Sequence, residues 1–260
     1  MESLVSQALK SLRILVVDDH DINRDFLTAG LSGRVAEVVT AKDGKAAVEL
    51  CRNQYFDVVL MDLHMPRMDG LAACERIRQS ESASSRARIF ILTADARPEE
   101  QDRLIDNGAD GHLNKPIGIP KLIQAILEQV APGAARQHLA DSTLEESRLL
   151  IPGQALDNAN GDQELAARMG RLFANELGEK LPLLDGMLKR GEITPVLELL
   201  HQWRGTCGFA GAARLHRACE VLRESLQDSA PDASGAAYLE FLRTAHATRQ
   251  ALLSQLSVPS

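Results

Sequence analysis

The sequence predicts two folds in one chain: an α/β doubly wound five-stranded parallel sheet over residues 11–130, and an all-α four-helix bundle over residues 144–260. Three observations predict them. Short apolar runs alternate with amphipathic stretches in the first half, and every strand signal disappears in the second. Between the halves, Ala131-Pro132-Gly133-Ala134-Ala135 breaks the helical pattern and opens a polar stretch, read as a linker over residues 131–143. A chain of 260 residues has room for two such cores.

In the first half, Ile14–Val17, Ala36–Thr40, Val58–Met61 and Ile89–Leu92 read as strands, with Gly111–Asn114 as a weaker fifth. Val58-Val59-Leu60-Met61 shows no polar alternation, as expected of a parallel strand covered on both faces. Ile22–Leu31, Gly44–Arg52, Gly70–Arg78, Pro98–Asn107 and Ile119–Val130 carry helical spacing between the strands. In the second half Leu165–Leu188, Val196–Ala210, Ala212–Leu226 and Ala236–Leu256 have apolar residues at helical spacing, with breaks at Gly191, Gly211 and Pro231. These four form the bundle, preceded by a short helix near Leu144–Leu150.

Composition narrows the function. The formal net charge is −7, and residues 1–130 hold 16 Lys/Arg against 20 Asp/Glu, so neither half carries the basic footprint of a nucleic-acid binder. No apolar run reaches the roughly 18 residues of a membrane span and no signal-peptide layout opens the chain, so the expected location is cytoplasmic with no direct membrane insertion. Cys51, Cys74, Cys207 and Cys219 have neither metal-ligand nor redox spacing and read as buried reduced thiols.

The chemistry lies in the loops that follow the strands. An open parallel sheet gathers such loops at one edge, where ligands bind. Asp18 and Asp19 follow the first strand and Asp62 the third, giving a carboxylate cluster whose mutual repulsion a hard, oxygen-seeking cation would relieve; magnesium fits best. Thr93 offers a hydroxyl and Lys115 a mobile ammonium. Pro116 suits a special turn, and a cis bond there is one way to aim the lysine.

Val16-Val17-Asp18-Asp19, then Met61-Asp62-Leu63-His64-Met65-Pro66-Arg67-Met68-Asp69-Gly70, then Leu92-Thr93-Ala94, then Asn114-Lys115-Pro116, in this order and spacing, resemble the response-regulator receiver family. The resemblance covers residues 11–130 and implies a flavodoxin-like fold. It implies Asp62 as phosphoacceptor, Asp19 and Asp62 as direct Mg2+ ligands, Asp18 acting through water, and the His64 main-chain carbonyl as a further ligand. It also implies Thr93 and Lys115 as partners of the phosphoryl group and Thr93 as part of the switch. The family usually places Tyr or Phe three residues before the lysine, where this chain has His112, a polar ring that buries less comfortably.

A second candidate site lies on a helix. At about 100° per residue, Val196, Leu200, Trp203, Cys207 and Ala210 form an inward stripe, and His201, Arg204, Gly205 and Gly208 share the opposite side. Two glycines in a helix cost roughly 1 kcal/mol each relative to Ala, and a bare backbone track beside His201 would let another protein's acidic pocket approach, with Arg204 holding phosphoryl oxygens. His201-Gln202-Trp203-Arg204-Gly205 followed by Gly211-Ala212 resembles the histidine-phosphotransfer (HPt) family, which commonly has Lys where Arg204 stands. That resemblance extends more loosely from Gly161 through the terminal helix. His216 and His246 lack the small-residue surroundings, and His138 is in the linker.

The expected function is a two-component phosphorelay intermediate without an ATP-binding kinase core, hence not an enzyme acting on a separate substrate. Asp62 receives a phosphoryl group from a sensor histidine kinase or another phosphohistidine donor, and His201 passes phosphate to or from a receiver aspartate. Asp62 and His201 exchange directly or serve separate partner receiver and HPt proteins. The alternatives are a phosphorylation-controlled protein-binding switch that makes no use of His201, a hydrolase built on the Asp cluster, or the C-terminal output portion of a hybrid sensor kinase, against which Met1 and the short preamble before Ser11 read as the start of a complete chain.

Overall fold

The computed structural model describes residues 9–93, 103–130, 149–151, 153–227 and 231–255. The chain divides into two compact units between His138 and Leu139. The expected linker, residues 131–143, lies outside the described residues, as do residues 98–102 of the helix expected over Pro98–Asn107; residues 103–106 are helical.

In the first unit β1 (Arg13–Val17), α1 (Asp21–Leu31), β2 (Glu37–Ala41), α2 (Gly44–Asn53), β3 (Val58–Asp62), α3 (Gly70–Gln79), β4 (Arg88–Thr93), β5 (Gly111–Asn114) and α4 (Ile119–Val130) follow one another. The strand order is β2-β1-β3-β4-β5, and every adjacent pair is parallel. This is the doubly wound sheet of the flavodoxin-like receiver fold.

Strand β3 is buried at all five positions. Alternation explains how: Leu15, Val17, Val59, Met61, Ile89 and Ile91 share one core with Cys51, Phe56, Cys74 and Ile77, while Ile14, Val16, Val58, Leu60, Phe90 and Leu92 are equally buried on the other face. Helices α1 and α4 meet at Gly30, where a Cβ would lie 2.2 Å from Ile119 Cδ1. The Cys51 and Cys74 thiols are pushed up to about 12 and about 11 by burial, so they stay protonated, as buried structural thiols do.

Short polar residues start the helices. Asp43 accepts the Ala46 N–H at 2.8 Å and Asp69 the Ala72 N–H at 2.8 Å, capping α2 and α3. At the opposite end of the sheet from these caps, Arg78 of α3 donates to the carbonyls of Gly108 (2.8 Å), Ser85 (2.7 Å) and Ala87 (2.8 Å) and pairs with Asp110. Asp110 in turn accepts the Ile89 N–H at 2.8 Å and pairs with Arg88. One guanidinium thus satisfies the loops entering β4 and β5.

The second unit contains α5 (Gln154–Asn158), α6 (Gln163–Lys189), α7 (Ile193–Phe209), α8 (Ala213–Gln227) and α9 (Pro231–Gln255). The four long helices enclose Phe173, Leu177, Leu184, Leu200, Trp203, Leu215, Leu222 and Phe241, and the Trp203 and Phe241 rings stack at 6.0 Å. No described helix is long and apolar enough to cross a membrane.

Of the short leading helix expected near Leu144–Leu150, residues 144–148 lie outside the described residues and Leu149 and Leu150 form bends; a short helix also stands at Gln154–Asn158. One expectation is corrected. Pro231 opens the last helix instead of breaking it, because a first-turn proline loses no helical hydrogen bond and its fixed φ suits the helix.

Replacing Arg78 with alanine removes the donors to three carbonyls and leaves Asp110 short of a cation. Urea denaturation of Arg78→Ala is expected to show the first unit destabilised by about 2–4 kcal/mol; a shift under about 0.5 kcal/mol, the range of ordinary surface substitutions, would show the hub to be dispensable.

Candidate functional site

The registers of β1 with β3 and of β3 with β4, pairing Val17 with Met61 and Asp62 with Leu92, bring the ends of three strands to one edge. Asp18, Asp62 and Thr93 are buried there, and Asp19 is half-buried. Carboxylate oxygens of Asp18, Asp19 and Asp62 lie within 4.8 Å of one another. Lys115, brought in after β5 by the Lys115 N–H to Thr93 carbonyl bond at 2.7 Å, places Nζ 2.8 Å from Asp18 Oδ2 and 2.9 Å from Asp62 Oδ2. The Lys115–Pro116 peptide is cis.

Asp18 is further held by its neighbours. The His20 N–H donates to Oδ1 at 2.9 Å, Asn23 Nδ2 reaches both oxygens at 3.3 Å, and Arg24 Nη1 donates to the Asp18 carbonyl at 2.6 Å. Neither Asn23 nor Arg24 was among the residues singled out from the sequence. The available signal was their place on the first turn of α1, directly after the Asp pair.

One cation cannot balance three acids. Burial, only partly offset by Lys115 and reinforced by Asp18 and Asp19, pushes the Asp62 carboxyl up to about 7. Burial would depress Lys115, but the Asp18 and Asp62 carboxylates outweigh it and hold the ammonium well above its usual range. The donor set is all hard oxygen, three carboxylates at the ends of two strands, and fits a hard divalent cation.

The loop after Asp62 is tightly returned. The Gly70 N–H donates to the Leu63 carbonyl at 2.9 Å, and a Cβ at Gly70 would sit 2.2 Å from the Asp62 carbonyl oxygen, so glycine alone fits. The His64 side chain is exposed on this loop. His112 is half-buried on the edge strand β5, in register with Ile91.

In the second unit His201 is half-buried on α7. The expected outward face is corrected: Arg204, Gly205 and Gly208 are buried. Asn158 of α5 donates through Nδ2 to the Gly208 carbonyl at 2.9 Å, and the Ile151 N–H to the Gly211 carbonyl at 2.8 Å, so the segment before α6 covers the end of the glycine track. Arg204 Nη2 pairs with Glu220 Oε1 of α8 at 2.8 Å, while its buried Nε has no hydrogen-bond partner among the described residues. Burial would raise the Glu220 carboxyl, but His216, Arg204 and Arg217 together hold it below the usual range.

Residues 14–127 match the family model of the response regulator receiver domain. This part of the chain is a receiver domain. The wider chain is similar to the sensor protein GacS of Pseudomonas syringae pv. syringae, 31% identical over 226 residues that make up 84% of this chain and 25% of GacS. It is similar to the sensor histidine kinase AruS of Pseudomonas aeruginosa, at 32% over 222 residues, 84% of this chain and 21% of AruS. It also resembles the signal transduction histidine-protein kinase BarA of Escherichia coli K12, at 27% over 223 residues, 84% of this chain and 24% of BarA. The chain thus spans a quarter or less of these relatives. Among solved structures, the chemotaxis protein CheY4 of Vibrio cholerae is 31% identical, covering 46% of this chain and 98% of its own with a TM-score of 0.43. The receiver domain of the Pseudomonas aeruginosa sensor histidine kinase PA1611, solved with a magnesium ion in its active site cleft, is 29% identical over 46% of this chain and 98% of its own, with a TM-score of 0.42.

The raised Asp62 carboxyl gives a signed pH dependence. Between about pH 4 and 7 the folded receiver domain keeps a proton that the unfolded chain has lost, so in metal-free buffer stability falls as pH rises across that window. Thermal melts of Asp62→Asn without divalent cation are expected to show a flatter fall and a higher midpoint at pH 8 than wild type; parallel profiles for the two would refute the repulsion.

Proposed function

We propose that this chain is a phosphorelay protein in which Asp62 accepts a phosphoryl group and His201 exchanges one with a receiver aspartate. The observation that carries the first half is the buried Asp62 carboxyl set between Asp18, Asp19 and the Lys115 ammonium at the edge of the receiver sheet. Charge at this point is already paired with a cation and crowded by two acids, the environment in which phosphoryl transfer depends on positioning and neutralisation.

The donor is a phosphohistidine on a sensor histidine kinase or phosphotransfer protein. An Asp62 oxygen attacks phosphorus, the donor's P–N bond breaks with its electron pair returning to the imidazole, and an acyl phosphate remains. Lys115 can leave Asp62 for a phosphoryl oxygen while keeping Asp18, and the Thr93 hydroxyl at the end of β4 can donate to another. Asp18, Asp19 and Asp62, with the His64 main-chain carbonyl, would hold Mg2+, which when bound would supply positive charge to the phosphoryl oxygens. The chain transfers phosphate and is not assigned a separate substrate to turn over.

For His201, a neutral imidazole nitrogen attacks the phosphorus of an acyl phosphate, the P–O bond breaks and the aspartate leaves as carboxylate. Its half-exposed place on α7 supports this, as does the similarity to sensor proteins over 84% of the chain, well beyond the receiver domain. One observation favours a second reading: the capped Gly208 carbonyl and the Arg204–Glu220 pair leave the expected docking track covered. In that reading phosphorylation of Asp62 switches protein binding and His201 takes no part.

Wild type, Asp62→Ala and His201→Ala chains incubated with a phosphorylated sensor kinase and its receivers separate the readings. Base-labile label is expected in wild type and His201→Ala and is lost in Asp62→Ala; acid-labile label is expected wherever His201 is present. Labelling of Asp62 with no acid-labile phosphate on His201 from any of the receivers would leave the binding switch standing.

A further inference from the structure

The loop of residues 64–69 is fixed at its base by the Gly70 to Leu63 hydrogen bond, and it is also fixed at its tip. Arg67 has φ of 70°, a left-handed conformation that favours glycine. That backbone aims its side chain across to the start of α2, where Arg67 Nη2 lies 2.5 Å from Asp43 Oδ2. The Asp43 side chain is 7% exposed and its other oxygen accepts the Ala46 N–H, so both carboxylate oxygens are engaged. Beside this pair Met68 passes over Gly44 so closely that a Cβ there would be 2.7 Å from the Met68 carbonyl oxygen.

A non-glycine residue in a glycine conformation, facing a nearly buried acid, on the loop that carries His64, asks for a role beyond capping α2. Asp43 would cap that helix without Arg67. Arg67 adds a second anchor for the loop, and a loop held at base and tip keeps its intervening carbonyls where they are.

We propose that Arg67 is a positioning residue for the Asp62 site, its ion pair with Asp43 holding loop 64–69 so that the His64 carbonyl is pre-placed as a ligand for the divalent cation. The proposal rests on the reading of Asp62 as a cation-dependent phosphoacceptor. Free of the latch, the loop must be ordered at the moment of cation binding, and affinity falls by the population of the competent state.

The test uses the full chain as wild type, Arg67→Gly, Arg67→Lys and Asp43→Asn, with MgCl2 as the probe in calorimetric titration. Glycine accepts the left-handed backbone and asparagine still caps α2, so neither change should harm folding, and Arg67→Gly should melt no lower than wild type without metal. Arg67→Gly and Asp43→Asn are expected to weaken Mg2+ binding about fivefold, in the lower range for residues that orient metal ligands indirectly, with faster amide exchange over residues 64–69 in the metal-free protein. Arg67→Lys, which keeps the charge, should recover most of the affinity. Mg2+ affinities of Arg67→Gly and Asp43→Asn equal to wild type, with unchanged exchange, would overturn the latch. A wild-type chain that takes up neither Mg2+ nor phosphate from acetyl phosphate would instead remove the phosphoacceptor reading itself, and the latch with it.

Discussion

The receiver site depends on a mismatch of charge: three carboxylates, those of Asp18, Asp19 and Asp62, share one ammonium, Lys115 Nζ, which bridges two of them at 2.8 and 2.9 Å. Near a protein surface two like charges at about 4 Å repel by roughly 4 kcal/mol, and burial deepens the cost for Asp62. The molecule supports this arrangement with neutral donors, from the His20 N–H and Asn23 to Asp18, which place Asp18 without cancelling its charge. A site kept short of positive charge is one to which a cation and then a phosphoryl group can bring compensation.

Everything around that mismatch serves to hold it. The parallel sheet brings three strand ends to one edge, the core on both of its faces fixes their heights, and Gly70 lets the chain turn back directly over Asp62. Arg78, at the far end of the sheet, secures the entries to β4 and β5, and so the strands whose other ends carry Thr93 and lead to Lys115. In the helical unit charge is handled differently: the one carboxylate of Glu220 is shared by Arg204 and Arg217, with His216 beside it, so the cluster that pairs with the helix carrying His201 has cation rather than acid in excess.

The sheet was legible because buried parallel strands leave unbroken apolar runs, as in Val58–Met61, and because the acidic pair, Asp62 and Thr93 each follow such a run, while Lys115 follows the weaker Gly111–Asn114 strand. Helical periodicity likewise revealed the long helices of the second unit. The side-chain links across sequence were not legible: Arg67 to Asp43, Arg78 to Gly108 and Asp110, and Arg204 to Glu220 join residues whose local patterns give no sign of each other. The helical-wheel reading of α7 failed at Arg204, Gly205 and Gly208 because a wheel describes one helix, whereas α8 and the short α5 supply the Glu220 and Asn158 that cover that side.

The central claim is that Asp62 is an acid held out of balance until a cation arrives. Carbon-13 NMR titration of the Asp62 carboxyl, without and with saturating Mg2+, tests it most directly. The account predicts a midpoint near 7 in the metal-free protein, as burial and the neighbouring acids require, falling steeply when Mg2+ is bound. A carboxyl that titrates in the ordinary aspartate range and is unmoved by Mg2+ would contradict it.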